Sequence, residues 1–183
     1  MKIKSNAVPE ELDSPFYIEN KKFCQVFERF IAGKEGKVRG RYNAWSYLIE
    51  GKIETLKSWN LFYKKSTFSG GNLLLSSKYQ NLLTIAEWTC HAVNAKNAMF
   101  FIRKRKFIDI MKPSYLKLKQ HPAYVMKTNG EYLPYFSKVL NTLEMLFETN
   151  EIYTITLKNN KLTIELRTEK HHFNIFNELI QLS

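Results

Sequence analysis

Four of the six arginines in this chain fall in two Arg-x-Arg pairs, Arg39/Arg41 and Arg103/Arg105. The second pair is interleaved with Lys104 and Lys106 in the run FFIRKRKF. On an extended strand residues i and i+2 share a face, so each pair would set two guanidinium groups side by side. A planar guanidinium matches the oxygens of a phosphate better than the point charge of lysine does. Arg39, Arg41, Arg103, Lys104, Arg105 and Lys106 are therefore the candidate anion-binding residues. Tyr42, Trp45, Trp59 and Tyr63 would add stacking on bases if they shared that surface. An anionic membrane surface and a nucleic acid are the two partners this chemistry suits, and binding to either would depend on salt.

No comparable set speaks for catalysis. Cys90 and His91 cannot serve as nucleophile and base on one strand, because neighbours point to opposite faces. Glu169-x-x-His172 is half of a carboxylate–histidine metal motif whose counterparts on other helices do not occur. His171 and His172 are instead expected to begin a final helix, exposed. Only Asp13 and Asp109 of the 17 acidic residues are aspartate, and no carboxylates cluster as a magnesium or calcium site requires. Glu50-x-Lys52 matches part of a metal-dependent nuclease pattern, but the upstream aspartate it would need is Asp13, in a polar lead-in. The stretch GKEGKVRGR, Gly33 to Arg41, follows a helix pattern and precedes a strand pattern, the reverse of a phosphate-binding loop. Cys24 and Cys90 have neither metal-ligand nor disulfide-scaffold spacing and are read as reduced, partly buried thiols. We expect no catalytic residues, no metal and no cofactor.

The charge is unevenly placed. The net charge is +11. Residues 34–120 carry 17 basic and 5 acidic side chains, whereas residues 1–33 are balanced and residues 121–183 are close to it. A field of one sign confined to the middle of a chain attracts polyanions over about a Debye length, ~10 Å. Part of the excess is lysine in a chain also rich in asparagine, so solubility is a competing reason for it. Hydrophobic residues make up 44% and charged residues 25%, the balance of an ordinary globular chain. The start, MKIKSNAVPEELDS, has no apolar core of a secretory signal. No apolar run approaches the ~20 residues that span a bilayer.

These side chains must be positioned by elements the sequence marks out. Residues 1–13 read as a polar lead-in. Ser14–Pro15 is a helix start and Gly33 a helix stop, with Phe16, Phe23, Phe27, Phe30 and Ile31 recurring at helical spacing between them. From Val38 to Met111 the pattern is one of short strands with turns near Asn43–Ala44, at Ser69–Gly71 and at 94–97. PAYVMKTN reads as a further strand. Leu133, Phe136, Val139, Leu140, Leu143, Leu146 and Phe147 form one face of a helix near 132–148. EIYTITL-KNNK-LTIELRT is a hairpin in which Tyr153, Ile155 and Leu157 alternate against Leu162, Ile164 and Leu166, and Asn159–Asn160 supplies the turn. A last helix turns Phe173, Phe176, Leu179 and Ile180 inward. The expected fold is α+β, a mainly antiparallel sheet with these helices packed on it, in a single domain spanning 1–183. FFIRKRKF cannot be one buried strand without burying charge on both faces. RKRK is expected to be an exposed bend separating AMFFI and FIDIM as two arms.

The order of AMFFI, AYVMKTN, VLNTLEMLF, YTITLKNNKLTIEL and HHF resembles the soluble domain of uncharacterised bacterial proteins in which that domain follows two transmembrane helices. The likeness covers roughly the last 85 residues by order of elements. It implies an α+β domain and carries over no functional residue. The sequence as given holds no transmembrane pair. The expectation is a cytoplasmic, non-enzymatic binding or scaffolding module, peripheral at a membrane if that is its anionic partner. The alternatives are a protein–protein interaction or structural domain whose charge serves only solubility, or an enzyme of unrecognised type. Oligomeric state is not legible.

Overall fold

The computed structural model describes residues 2–54, 58–66, 84–91, 98–111, 114–129 and 134–182. The fold is α+β with mostly antiparallel strand pairing. By internal contact the chain divides into two compact units, one of residues 1–88 and 167–171, the other of 89–166 and 172–183.

In the first unit the helix α1 runs from Pro15 to Ala32, with Ser14 at its N-cap and Gly33 at its C-cap. Its buried face is Tyr17, Asn20, Cys24, Phe27 and Ile31, an i, i+3, i+4 stripe. Phe16, expected on that stripe, is 54% exposed, so the stripe lies one position round from the one the phenylalanines suggest. The strands are β1 (Ile3–Ser5), β2 (Lys37–Tyr42), β3 (Ser46–Glu54), β4 (Ser58–Ser66) and β5 (Ile85–Cys90), whose last two residues belong to the second unit. Their spatial order is β1-β2-β3-β4-β5. β1 pairs with β2 in parallel, so the polar lead-in supplies an edge strand. β2–β3 and β3–β4 are antiparallel. Asn43 makes the β2–β3 turn, its Oδ1 accepting from the backbone of Trp45 and Ser46. The sheet's inner face is Val38, Tyr42, Tyr47, Ile49, Ile53, Trp59, Leu61 and Tyr63. Gly51 on that face lets α1 approach closely: a Cβ there would lie 2.6 Å from the Ile31 side chain and 2.9 Å from Phe27.

In the second unit the strands are β6 (Phe100–Lys104), β7 (Leu116–Lys117), β8 (Tyr124–Thr128), β9 (Ile152–Lys158) and β10 (Lys161–Leu166), in the order β10-β9-β6-β8-β7. Asn159 and Asn160 turn the β9–β10 hairpin with φ of 51° and 59°, the left-handed pair of a type I′ turn. A bulge between Glu165 and Leu166 sets Leu166 opposite Ile152, so that the register skips Tyr153. Tyr153 is therefore exposed and Ile152 buried, against the strict alternation expected for this arm. The helix expected near 132–148 divides into α2 (Pro134–Thr142) and α3 (Glu144–Glu148), joined at Leu143. The Leu143 amide donates to the carbonyls of both Val139 and Leu140, a tightening of the last turn. Phe136, Val139, Leu140, Leu143, Leu146 and Phe147 are all buried. The Phe136 ring lies 3.7 Å from that of Phe100, and Phe147 meets Tyr124 edge-on. α4 (Phe173–Gln181) buries Ile175, Phe176 and Leu179.

No helix among the described residues is long and apolar enough to cross a membrane. The turns expected at Ser69–Gly71 and at 94–97, with the part of the strand pattern that falls on residues 67–83, lie outside the described residues.

Candidate functional site

The chain bends partway through RKRK, after Lys104, with Arg103 and Lys104 still in β6, and the bend is built by a carboxylate. β6 ends at Lys104, and Phe107–Met111 forms a short 3-10 helix where a second strand arm was expected. Asp109 is the reason. Its side chain is 1% exposed. Its Oδ2 accepts from the Lys106 amide at 2.6 Å, and its amide donates to the Lys106 carbonyl at 3.0 Å. An aspartate that caps a tight turn in this way competes with strand formation. The chain thus leaves the sheet after Lys104 and cannot continue as β-structure.

Asp109 also takes up Arg103. The guanidinium donates through both terminal nitrogens, at 2.7 and 2.6 Å, to the two carboxylate oxygens. One of these nitrogens also reaches the Lys104 carbonyl at 2.9 Å. The guanidinium lies over the Tyr115 ring, 4.7 Å from its centre. Hydrogen bonding to Asp109 raises the Arg103 pKa further. Arg103, counted with the anion-binding residues, is therefore a clasp: its side chain is 15% exposed and its charge is neutralised by Asp109. Its neighbours differ. Lys104, Arg105 and Lys106 are exposed, and the Arg105 amide is anchored to the Ala123 carbonyl at 2.8 Å. Directly after them Phe107 is 90% and Ile108 55% exposed. Three cations and two large apolar side chains thus stand on one short, braced tip.

Arg39 and Arg41 lie in the other unit, together on the outer face of β2. Arg39 donates to Glu50 on β3 at 2.7 Å, an exposed pair worth at most ~1 kcal/mol. Glu50 is thereby engaged, and Lys52 pairs with Glu54. Arg39, Arg41, Leu48, Glu50 and Phe62 line a shallow hollow of about 300 Å³ on the outer face.

The proposed stacking residues are mostly unavailable. Trp59 and Tyr63 are 0% and 1% exposed, and Tyr42 is also buried. Tyr42 stacks on Tyr17 of α1. Tyr63 takes a hydrogen bond from Trp88 Nε1 and gives one to the His171 carbonyl. They are inner-face core because the α1 side of the sheet holds the alternating aromatics, leaving the cations outside.

The histidines are also structural. His171 stacks 3.7 Å from Phe23, and its Nε2 donates to the Phe23 carbonyl. His172 sits at a left-handed φ of 52° and pairs with Glu151 at 2.7 Å, its side chain only 9% exposed. The expectation that both are exposed fails, because the turn into α4 folds each ring inward. Glu169, paired with His172 in the sequence reading, instead accepts from Thr84. His121 stacks on Phe147 and contacts Glu144. Among the described residues no three His, Cys, Asp or Glu side chains group as a metal site. Cys24 and Cys90 are both buried, and burial pushes the Cys24 thiol up to about 12.

Sequence reasoning missed Asp109 as the determinant of the bend and Phe107 as its exposed apex. A signal for the first was present, since Asp109 is one of two aspartates and follows the cationic run at turn-capping distance. No family model matches the chain, and neither does any curated protein.

Proposed function

We propose that this chain is a non-enzymatic binding module that engages an anionic membrane surface through the Lys104–Ile108 tip. The observation that carries this reading is the 90% exposure of Phe107 immediately after Lys104, Arg105 and Lys106. Large apolar side chains are costly to leave in water, and an aromatic that enters the headgroup region recovers that cost. Cations beside it are drawn to anionic lipid by about 1 kcal/mol each. The Arg103–Asp109–Tyr115 clasp supports the reading by fixing the tip before contact, which reduces the ordering cost of binding. A nucleic-acid partner is less well served, because Tyr42, Trp59 and Tyr63 are committed to the core. The location in the cell follows from the same reading: a cytoplasmic domain, peripheral at the anionic leaflet.

Co-sedimentation with phosphatidylserine-containing and neutral vesicles over a salt series tests it. Binding to the anionic vesicles alone, weakening with salt, is the expected result. Absence of binding at low salt refutes it. So does capture by single-stranded nucleic acid in preference to vesicles.

A further inference from the structure

The face of the second unit's strands that carries Phe101 has an organised basin at the end away from the tip. The register places six residues there in two rows across three strands. Phe101 lies opposite Thr156 on one side and Lys127 on the other. One step further along, Met99 exchanges hydrogen bonds with Asn129: the Asn129 amide donates to the Met99 carbonyl, and the Met99 amide to Asn129 Oδ1. Lys158 continues the Thr156 side, because alternate residues of a strand share a face. The result is an apolar floor along the middle strand, Met99 and Phe101, walled on both sides by a lysine and a small polar side chain. The hollow over it measures about 350 Å³, within the range of small-molecule sites.

Three features define the ligand. Phe101 is half-buried, which fixes its ring as a platform while leaving a face for stacking. Lys127 and Lys158 stand on the two strands flanking β6, in different rows, about 12 Å apart at their Cα atoms from the strand spacing and the rise of two residues, and the two lysine stems together span that distance above the floor. Among the described residues none that lines the hollow is acidic, so an anion there meets no carboxylate from them. Thr156 and Asn129 add hydroxyl and amide groups at the rim.

We infer that this basin binds a small ligand made of a planar ring and a phosphate, a mononucleotide being the simplest example. The ring lies on Phe101 and Met99, and the phosphate is held between Lys127 and Lys158. The basin begins β6 and the cationic tip follows its end, so the site is separate from the membrane contact and does not rest on it.

The test is two-dimensional amide NMR of the full chain at low salt, titrated in parallel with AMP, adenosine and inorganic phosphate. AMP is expected to shift the amides of Phe101, Lys127, Thr156 and Lys158 at millimolar concentration or below, and to bind more tightly than either fragment. Lys127→Gln with Lys158→Gln should weaken AMP about tenfold or more, since the loss of even one of the two charge-assisted contacts is worth that. Phe101→Leu should weaken AMP while leaving phosphate binding unchanged. Both lysines are exposed, so the double variant keeps its fold. The inference is overturned if AMP leaves these amides unmoved, if phosphate alone binds as tightly as AMP, or if the double lysine variant binds AMP as the parent does. Failure here leaves vesicle binding by the tip untouched, and the reverse also holds.

Discussion

Replacing Phe107 by alanine separates apolar insertion from simple charge attraction. The side chain is 90% exposed, so its removal takes little packing from the protein, and stability should change by no more than ~0.5 kcal/mol. Its contribution to membrane binding is larger. Fully burying a phenylalanine is worth ~1.5–3 kcal/mol, and insertion to headgroup depth should recover about 2 kcal/mol of it. That is a loss of about 30-fold in the vesicle partition coefficient for Phe107→Ala. The three neighbouring cations contribute ~3 kcal/mol at low salt, roughly 1 kcal/mol each. Charge-removing substitutions at Lys104, Arg105 and Lys106 should therefore abolish the salt dependence, whereas Phe107→Ala should lower affinity at every salt concentration with the slope unchanged. The assay is partitioning to phosphatidylserine-containing vesicles, with thermal unfolding of each variant alongside. A Phe107→Ala protein of parental stability that partitions within about twofold of the parent refutes insertion. Phe107→Trp should bind at least as well as the parent, since tryptophan favours the interface.

The remaining predictions concern what holds each unit together. Asp109→Ala removes the carboxylate that binds Arg103 at 2.6 and 2.7 Å and caps the turn at Lys106; it should destabilise by ~3 kcal/mol in urea titration, because it strands a mostly buried guanidinium. Gly51→Ala forces a methyl group against Ile31 and Phe27 and should cost ~1–3 kcal/mol by overpacking, measured the same way. Burial holds Cys24, Tyr42 and Tyr124 protonated up to about 12, and raises Tyr47 and Tyr63 as well. Groups whose folded pKa lies above the unfolded value stabilise fully below the unfolded value and lose that contribution as pH rises through the folded one. Melting temperature should accordingly fall between about pH 9 and pH 12 on account of these groups, and a flat profile across that window would contradict their burial. Cys24 should resist thiol reagents at pH 8 until the protein is unfolded, which a timed labelling experiment reads directly.

The sequence by itself settled the elements whose signals are local. The 15–32 helix was legible from Ser14–Pro15, Gly33 and its 3.6-residue period, and the 152–166 hairpin from two asparagines between alternating arms. The α+β class followed from their order. Exposure of Lys104, Arg105 and Lys106 was also legible, because no strand can bury four cations on two faces, whereas Arg103 stays in the strand and is mostly covered. Tertiary structure decided what depends on a partner distant in sequence or on register. The bulge opposite Ile152 turns Tyr153 outward, and only the packed hairpin reveals it. The aromatics of β2 and β4 could have faced either side of their sheet, and docking of α1 through Gly51 fixed them inward. Arg103 and Arg105 are equivalent in the sequence, yet only Arg103 meets Asp109 and Tyr115. The row of Thr156, Phe101 and Lys127 joins three strands far apart in the chain. A charge is set by residue type, but whether it is free to act is set by the neighbour that folding places beside it.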